Sequence, residues 1–150
     1  MRAVIQRVSE ASVIIEGKIN GEINLGLLVL LGIEKADTQE DINWLVRKIY
    51  NMRIFSDKED KMNLSIQDVN GSFLIISQFT LHASINKGNR PSFIKAAKPN
   101  QAIPLYEEFC KSLSAHSGLS VATGIFGADM KVRLLNDGPV TIFIDSKNKE

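Results

Sequence analysis

Cysteine is nearly missing from this chain. Cys110 is the one thiol in 150 residues, so no disulfide framework can form within the chain, and with only two histidines a Cys/His zinc site lacks ligands. A reducing compartment is the natural setting for such a composition. An excess of charge of one sign is missing too. The 18 Lys and Arg nearly cancel the 17 Asp and Glu, for a formal charge of +1. No general field therefore draws in nucleic acid or an anionic membrane, and a polyanion has to meet a local patch. Long hydrophobic runs are also absent: none approaches the ~18 residues of a membrane span, and Met1–Arg7 has no apolar signal core. The expectation is a soluble, cytoplasmic protein with no membrane partner. A Walker loop, a dinucleotide glycine fingerprint, a zinc motif and a Gly-x-Ser-x-Gly elbow are all missing. What remains, at 44% hydrophobic residues, is an ordinary globular composition, with no repeat or linker to divide residues 1–150 into more than one domain.

The apolar pattern places the elements. Val4, Gln6, Val8 and then Ala11, Val13, Ile15 keep period two, which fits one bent strand or two short ones with one buried face. Turn signals at Glu16-Gly17-Lys18 and Asn20-Gly21-Glu22 bracket a short hairpin-paired segment, Ile19 to Ile23. Leu27 to Ile33 is apolar almost throughout, as a central strand covered on both faces requires. Asp37 with Glu40 resembles a capping box, and Ile42, Leu45, Val46, Ile49 and Met52 follow at helical spacing. Asp57 to Lys61 reads as a solvated loop, and Asn70-Gly71 as a hairpin turn that fixes the register of the strand at Phe73. Pro99 and Pro104 introduce a second helix with Leu105, Phe109 and Leu113 on one stripe, ended by Gly118 after His116 in the last turn. Strands are expected at Ser120–Thr123, Val132–Leu135 and Val140–Ile144, the last two joined by Asn136-Asp137-Gly138-Pro139. Lys147 to Glu150 reads as a frayed tail. The fold class that follows is mixed α/β (α+β): a strongly curved, partly barrel-like mixed sheet with two helices packed on one face.

The chemistry concentrates where the run Phe73-Leu74-Ile75-Ile76 stops in Ser77-Gln78-Phe79-Thr80. A buried strand that ends in hydrogen-bonding side chains delivers polar groups to the rim of a sheet. Two uses are open. Ser77 or Thr80 could act as a nucleophile, with His82 sharing Thr80's strand parity, or His82 could be a loop histidine facing solvent. Alternatively the backbone N–H groups form an oxyanion hole, with Gln78 assisting, and no ionisable nucleophile is needed. Lys87, Arg90, Lys95 and Lys98 follow in a loop that could meet a polyanion or simply be solvated. Asp-Gly in Asn136-Asp137-Gly138-Pro139 is ordinary hairpin chemistry, except that Pro139 denies the next strand a donor. A Gly-Pro bond in a tight turn is also where a cis peptide is most to be expected.

Five segments together carry a resemblance. Met1-Arg2-Ala3-Val4-Ile5-Gln6-Arg7-Val8, Ser77-Gln78-Phe79-Thr80-Leu81, Lys87-Gly88-Asn89-Arg90-Pro91-Ser92-Phe93, Thr123-Gly124-Ile125-Phe126-Gly127-Ala128-Asp129-Met130 and Asn136-Asp137-Gly138-Pro139-Val140-Thr141 are similar to the motifs of the D-aminoacyl-tRNA deacylases, in the family's order and across the chain. The resemblance implies a homodimeric hydrolase with no cofactor and no metal, acting on the ester between a D-amino acid, or misattached glycine, and the 3′-terminal adenosine of tRNA. It implies that Gly138 and Pro139 form a cis peptide that enters the partner's pocket, with Arg7 orienting it and L side chains excluded. It further implies Ser77, Gln78, Phe79 and Thr80 around the ester, Phe126 and Met130 near the adenosine and pocket wall, Lys87 and Arg90 on the substrate's side, and assistance from the RNA's own 2′-hydroxyl. Outside that family, a Thr80-dependent esterase and a non-catalytic RNA-binding dimer are the competing readings.

Overall fold

The computed structural model describes residues 1–149. Its first strand, β1 (Arg2–Ile15), is a single bent element. It pairs antiparallel with β2 (Lys18–Ile23) along one half and with β3 (Gly26–Gly32) along the other. From β3 the chain passes through α1 (Gln39–Asn51) and the small antiparallel pair β4 (Phe55–Ser56) and β5 (Met62–Leu64). It then returns as β6 (Ser72–Ser77), parallel to β3. From β6 a short 3-10 turn (Phe79–His82) and α2 (Pro99–Ser117) lead to β7 (Val121–Thr123), parallel to β6. Parallel crossovers are overwhelmingly right-handed, so two successive ones running in the same direction across the sheet, in the order β3-β6-β7, deliver both helices to the same face. The last strand, β8 (Lys131–Asp145), lies antiparallel on the free side of β1.

Period-two alternation then sorts the core. Leu27, Val29 and Leu31 of β3 and Phe73 and Ile75 of β6 face the helices, meeting Ile42, Leu45 and Ile49 of α1 and Phe109 and Leu113 of α2. Leu28, Leu74 and Ile76 point the other way, into a smaller cluster with Val8, Val13 and Ile23, bordered by Met130, Val132 and Leu134. Among the described residues no helix covers this second cluster; the sheet curls over it. Its two ends approach where Asn20 Nδ2 donates to the Thr123 carbonyl at 2.8 Å, and a Cβ on Gly21 would lie 3.0 Å from that same oxygen. The result is the mixed α/β, nearly closed, barrel-like sheet expected from the sequence. Among the described residues, no helix is long and apolar enough to cross a membrane.

Several local expectations are corrected. Thr38, not Asp37, caps α1: the Thr38 hydroxyl accepts from the Glu40 N–H at 3.3 Å, and the Asp41 carboxylate accepts from the Thr38 N–H at 2.8 Å. Asp37 is buried and accepts from the Met1 ammonium instead. Asn70-Gly71 makes no hairpin, because both neighbours of β6 are parallel to it; Asn70 adopts φ 49° in a turn closed by the Gly71 N–H on the Ile66 carbonyl at 3.0 Å. The two expected C-terminal strands are one strand, since each half finds its partner in β1 and not in the other half. The tail is anchored at Lys147, whose ammonium donates to Asp41 at 2.8 Å and to the Ala36 carbonyl at 2.9 Å. Burial alone would raise the Asp41 carboxyl, but hydrogen bonds from Lys147, Ser146 and the Thr38 amide hold it well below the usual carboxylate range. Glu150 lies outside the described residues.

Candidate active site

Past Ser77 the chain leaves the sheet. The Gln78 N–H still donates to the Leu31 carbonyl at 2.8 Å, after which Phe79 to His82 wind into the 3-10 turn. The turn brings the ends of the polar motif around one cleft of about 270 Å³, walled by Ile76, Ser77, Gln78 and Phe79 on one side and by Phe126–Met130 with Val132 on the other. That volume is at the small end for a ligand pocket; it suits one end of a larger substrate. A bigger concavity of about 480 Å³ lies against β1, β2 and β8, near Glu10, Glu22 and Arg133. It holds none of the strand-end groups, so the smaller cleft is the better candidate.

Ser77, Gln78, Phe79, Phe126 and Met130, which only the family resemblance had grouped, thus line one cleft. Thr80 stands beside them, its hydroxyl accepting from Gln78 Nε2. As the first residue of a 3-10 turn, Phe79 presents an N–H that has no acceptor within the turn, and such a group is free to bind developing negative charge. The Met130 wall is packed tightly: a Cβ on Gly124 would meet the Met130 sulfur at 2.4 Å. Asp129 was not singled out from the sequence. It enters the wall because Gly127, at φ 79°, turns the loop back on itself, and it is paired with Lys131 Nζ at 2.7 Å.

His82 departs from the expectation of a solvent-facing histidine. It is 1% exposed, tucked beneath the turn, while Thr80 faces outward. The Thr80/His82 pair is therefore not assembled. Strand parity does not relate the two residues, because both lie in a 3-10 turn. The Gly32 backbone approaches the imidazole without reaching hydrogen-bond geometry. Burial pushes the imidazole below its ordinary value, with Arg2 adding to the effect and Glu34 opposing it. The unfolded chain then binds a proton that the folded one resists. Stability is full above about pH 6.5 and falls as pH drops through that value. Urea midpoints at about pH 7.5 and about pH 5.5 check this: the midpoint is expected to fall, and to fall less in His82→Leu. Equal falls in both proteins would place the proton elsewhere.

Gly138, Pro139 and Arg7 lie apart from the cleft of their own chain. Between the pairs Gln6↔Thr141 and Val8↔Asn136, β1 contributes one residue and β8 four, so Asp137–Val140 bulges out of the ladder. Arg7, 8% exposed, grips this bulge from below, with Nε donating to the Asp137 carbonyl at 2.7 Å and Nη1 to the Ile54 carbonyl at 2.6 Å. Asn136, which the sequence reading did not single out, grips it from the side: its Oδ1 accepts from the Val140 N–H at 2.7 Å. Gly138 adopts φ 151°, and a Cβ there would sit 2.8 Å from the Val140 nitrogen, so glycine is required. The Gly138–Pro139 peptide is cis, and both residues are exposed. Lys87 and Arg90 are exposed on the loop after the turn, outside the cleft wall; the loop is tied to it by Phe93, edge-on to Phe79 at 4.9 Å between ring centres.

Among the described residues, no group of three or more His, Cys, Asp and Glu could hold a metal ion. Comparison with known proteins gives a consistent answer. Residues 4–145 match the model of a family described as D-Tyr-tRNA(Tyr) deacylase. The D-aminoacyl-tRNA deacylases of Flavobacterium johnsoniae and Bacteroides thetaiotaomicron are 66% and 63% identical to the chain over 150 residues, covering 100% of both chains in each case. Among solved structures, the c-Myc DNA unwinding element binding protein superposes with a TM-score of 0.91 at 42% identity, covering 97% of this chain and 98% of that one. A probable eukaryotic D-amino acid tRNA deacylase shares the fold, with a TM-score of 0.80 at 18% identity over 95% of this chain and 97% of the other. With a match that runs nearly end to end and a cleft built from the motifs that first pointed there, the chain belongs to the D-Tyr-tRNA(Tyr) deacylase family.

Proposed function

We propose that this chain, a hydrolase of the D-aminoacyl-tRNA deacylase family, cleaves the ester of D-aminoacyl-tRNA and of mischarged glycyl-tRNA in the cytoplasm and spares L-aminoacyl esters. The working unit is a homodimer in which Gly138 and Pro139 of one subunit complete the cleft of the other. One observation carries the reading: the Gly138-Pro139 bulge is held rigidly by Arg7 and Asn136, yet is exposed and lies outside its own chain's cleft wall. A rigid projection with no use in its own subunit fits a wedge supplied to a neighbour. The terminal adenosine lies against Phe126 and Met130, and Lys87 and Arg90 reach the phosphates beyond it. Ser77 to Thr80 surround the ester, with the Phe79 N–H on the oxyanion, and the 2′-hydroxyl of the terminal ribose helps to activate water.

The deciding experiment is paired hydrolysis of one tRNA charged with D- and with L-tyrosine. The D-ester is expected to be cleaved far faster than in buffer and the L-ester at close to the buffer rate. A 42% identical solved structure is named for binding a DNA element, which gives the non-catalytic reading a specific ground, although a formal charge of +1 supplies no general attraction for nucleic acid. Binding of charged tRNA with neither ester cleaved above the buffer rate would decide for that alternative.

A further inference from the structure

The turn that bears the Phe79 amide is short, and 3-10 hydrogen bonds are poorly aligned, so its direction must be set by what it rests on. At its start, the Gln78 N–H is fixed to the Leu31 carbonyl at 2.8 Å. Its floor is Gly32, where a Cβ would come within 3.0 Å of both the Gln78 oxygen and the Leu81 Cβ. With no side chain on Gly32 to hold it off, the turn packs closely on β3 there, beside the buried His82 ring. At its far end the Leu81 carbonyl is one of the acceptors that a helical turn leaves without an internal partner, and Arg2 Nη1 donates to it at 2.8 Å. Arg2 stands opposite Gly32 in the β1–β3 register and opposite Asp145 in the β1–β8 register. Its Nε donates to Asp145 Oδ2 at 2.9 Å, and the other Asp145 oxygen accepts from the Lys147 N–H at 2.9 Å. The guanidinium fork thus joins β1 and β8 to one carbonyl of the turn through charge-assisted bonds, which a single ammonium could not reproduce.

We infer that Arg2, held by Asp145, is a positioning residue for ester cleavage: by anchoring the Leu81 carbonyl it fixes the direction in which the turn aims its Phe79 amide into the cleft. The inference rests on the deacylase reading of that cleft. Arg2 is not among the residues that wall the cleft, so its loss acts on the turn and leaves the substrate's own contacts in place. An oxyanion donor works only when held to within ~0.5 Å of its productive place, and a displacement of about 1 Å costs on the order of 100-fold in rate.

The test uses the intact protein with Arg2→Ala, Arg2→Lys and Asp145→Asn, steady-state kinetics on D-tyrosyl-tRNA, and amide hydrogen exchange across the chain. In Arg2→Ala, kcat is expected to fall about 30- to 100-fold with KM within about twofold of the parent. Ethylguanidinium, without effect on the parent, should restore part of kcat, and Arg2→Lys and Asp145→Asn should lie between. Exchange should quicken at Leu81 to Ser84 and stay unchanged in α1 and α2. Overturning results are an unchanged kcat, a rise in KM in place of the fall in kcat, no rescue, or a loss of protection that spreads through both helices. Should Arg2→Ala not fold, Asp145→Asn carries the same kinetic and exchange criteria. Failure of the parent itself to cleave the D-ester would sink the deacylase reading, and the exchange pattern would still decide whether Arg2 anchors the turn.

Discussion

On a substrate whose terminal adenosine is 2′-deoxy, D-ester cleavage is expected to fall by about 1,000-fold, within the range that a positioned proton-transfer group supplies. The reason lies in what the protein brings to the cleft. Asp129 is the titratable residue among those that wall it, and it is exposed and already paired with Lys131 at 2.7 Å. His82 is sealed beneath the turn. The Thr80 hydroxyl accepts from Gln78 Nε2, and among the described residues no base accepts its proton. On the proposed reading the chain offers donors for an oxyanion and shape for orientation, and the substrate's own hydroxyl is the group placed next to the attacked carbonyl. On the same account Thr80→Ala retains substantial turnover on the normal substrate. Rates on deoxy- and ribo-terminated D-tyrosyl-tRNA, with the Thr80→Ala protein run alongside, check both statements. Full activity on the deoxy substrate removes RNA assistance, and near-total loss in Thr80→Ala restores the covalent alternative.

The second large effect is on chirality. Pro139→Ala is expected to raise the L-ester rate on the order of 100-fold, the scale of discrimination that steric fit provides in a pocket, while the D-ester rate changes far less. Enantiomers present the same groups, so attraction separates them poorly and exclusion must do the work. Exclusion needs a projection that does not yield. Arg7 on the Asp137 carbonyl at 2.7 Å and Asn136 on the Val140 N–H at 2.7 Å bracket Gly138-Pro139 on both sides. Measured D and L rates for the variant decide the matter, and unchanged rejection of the L-ester would remove Pro139 from chiral selection.

How far the sequence alone reaches can be seen residue by residue. Elements whose burial follows a simple period were readable: Leu27 to Ile33 as a strand covered on both faces, and Ile42 to Ile49 as the inner stripe of α1. Misreadings arose where the partner was distant. Asn70-Gly71 carries the local chemistry of a hairpin, but β6 found parallel neighbours through two helical crossovers. Asn136 to Pro139 carries it as well, and β1 claimed the strand on both sides. At the candidate site, Ser77, Gln78 and Thr80 were visible as polar groups ending a buried run. Phe126 and Met130 came from family resemblance, since nothing in their local pattern ties them to β6. His82 was misread because one helical turn cancels strand parity. Arg2 and Asn136 stood in the family-like motifs with no role of their own, because a polar side chain reads as solvated until the carbonyl or amide it holds is known.

The pairing of β1 with β8 joins the first residues of the chain to almost the last: Arg2 lies opposite Asp145, and the Ser146 N–H donates to the Met1 carbonyl at 2.9 Å. During synthesis, one long side of β1 therefore stays bare until β8 has left the ribosome. Contacts of such high contact order close slowly, and an uncovered strand edge is where chains stick to one another. The βαβ half, β3 through β7, has its partners close in sequence and can collapse first. The nascent protein is thus most exposed to aggregation before β8 emerges, after which a single docking event seals the sheet and buries the edge.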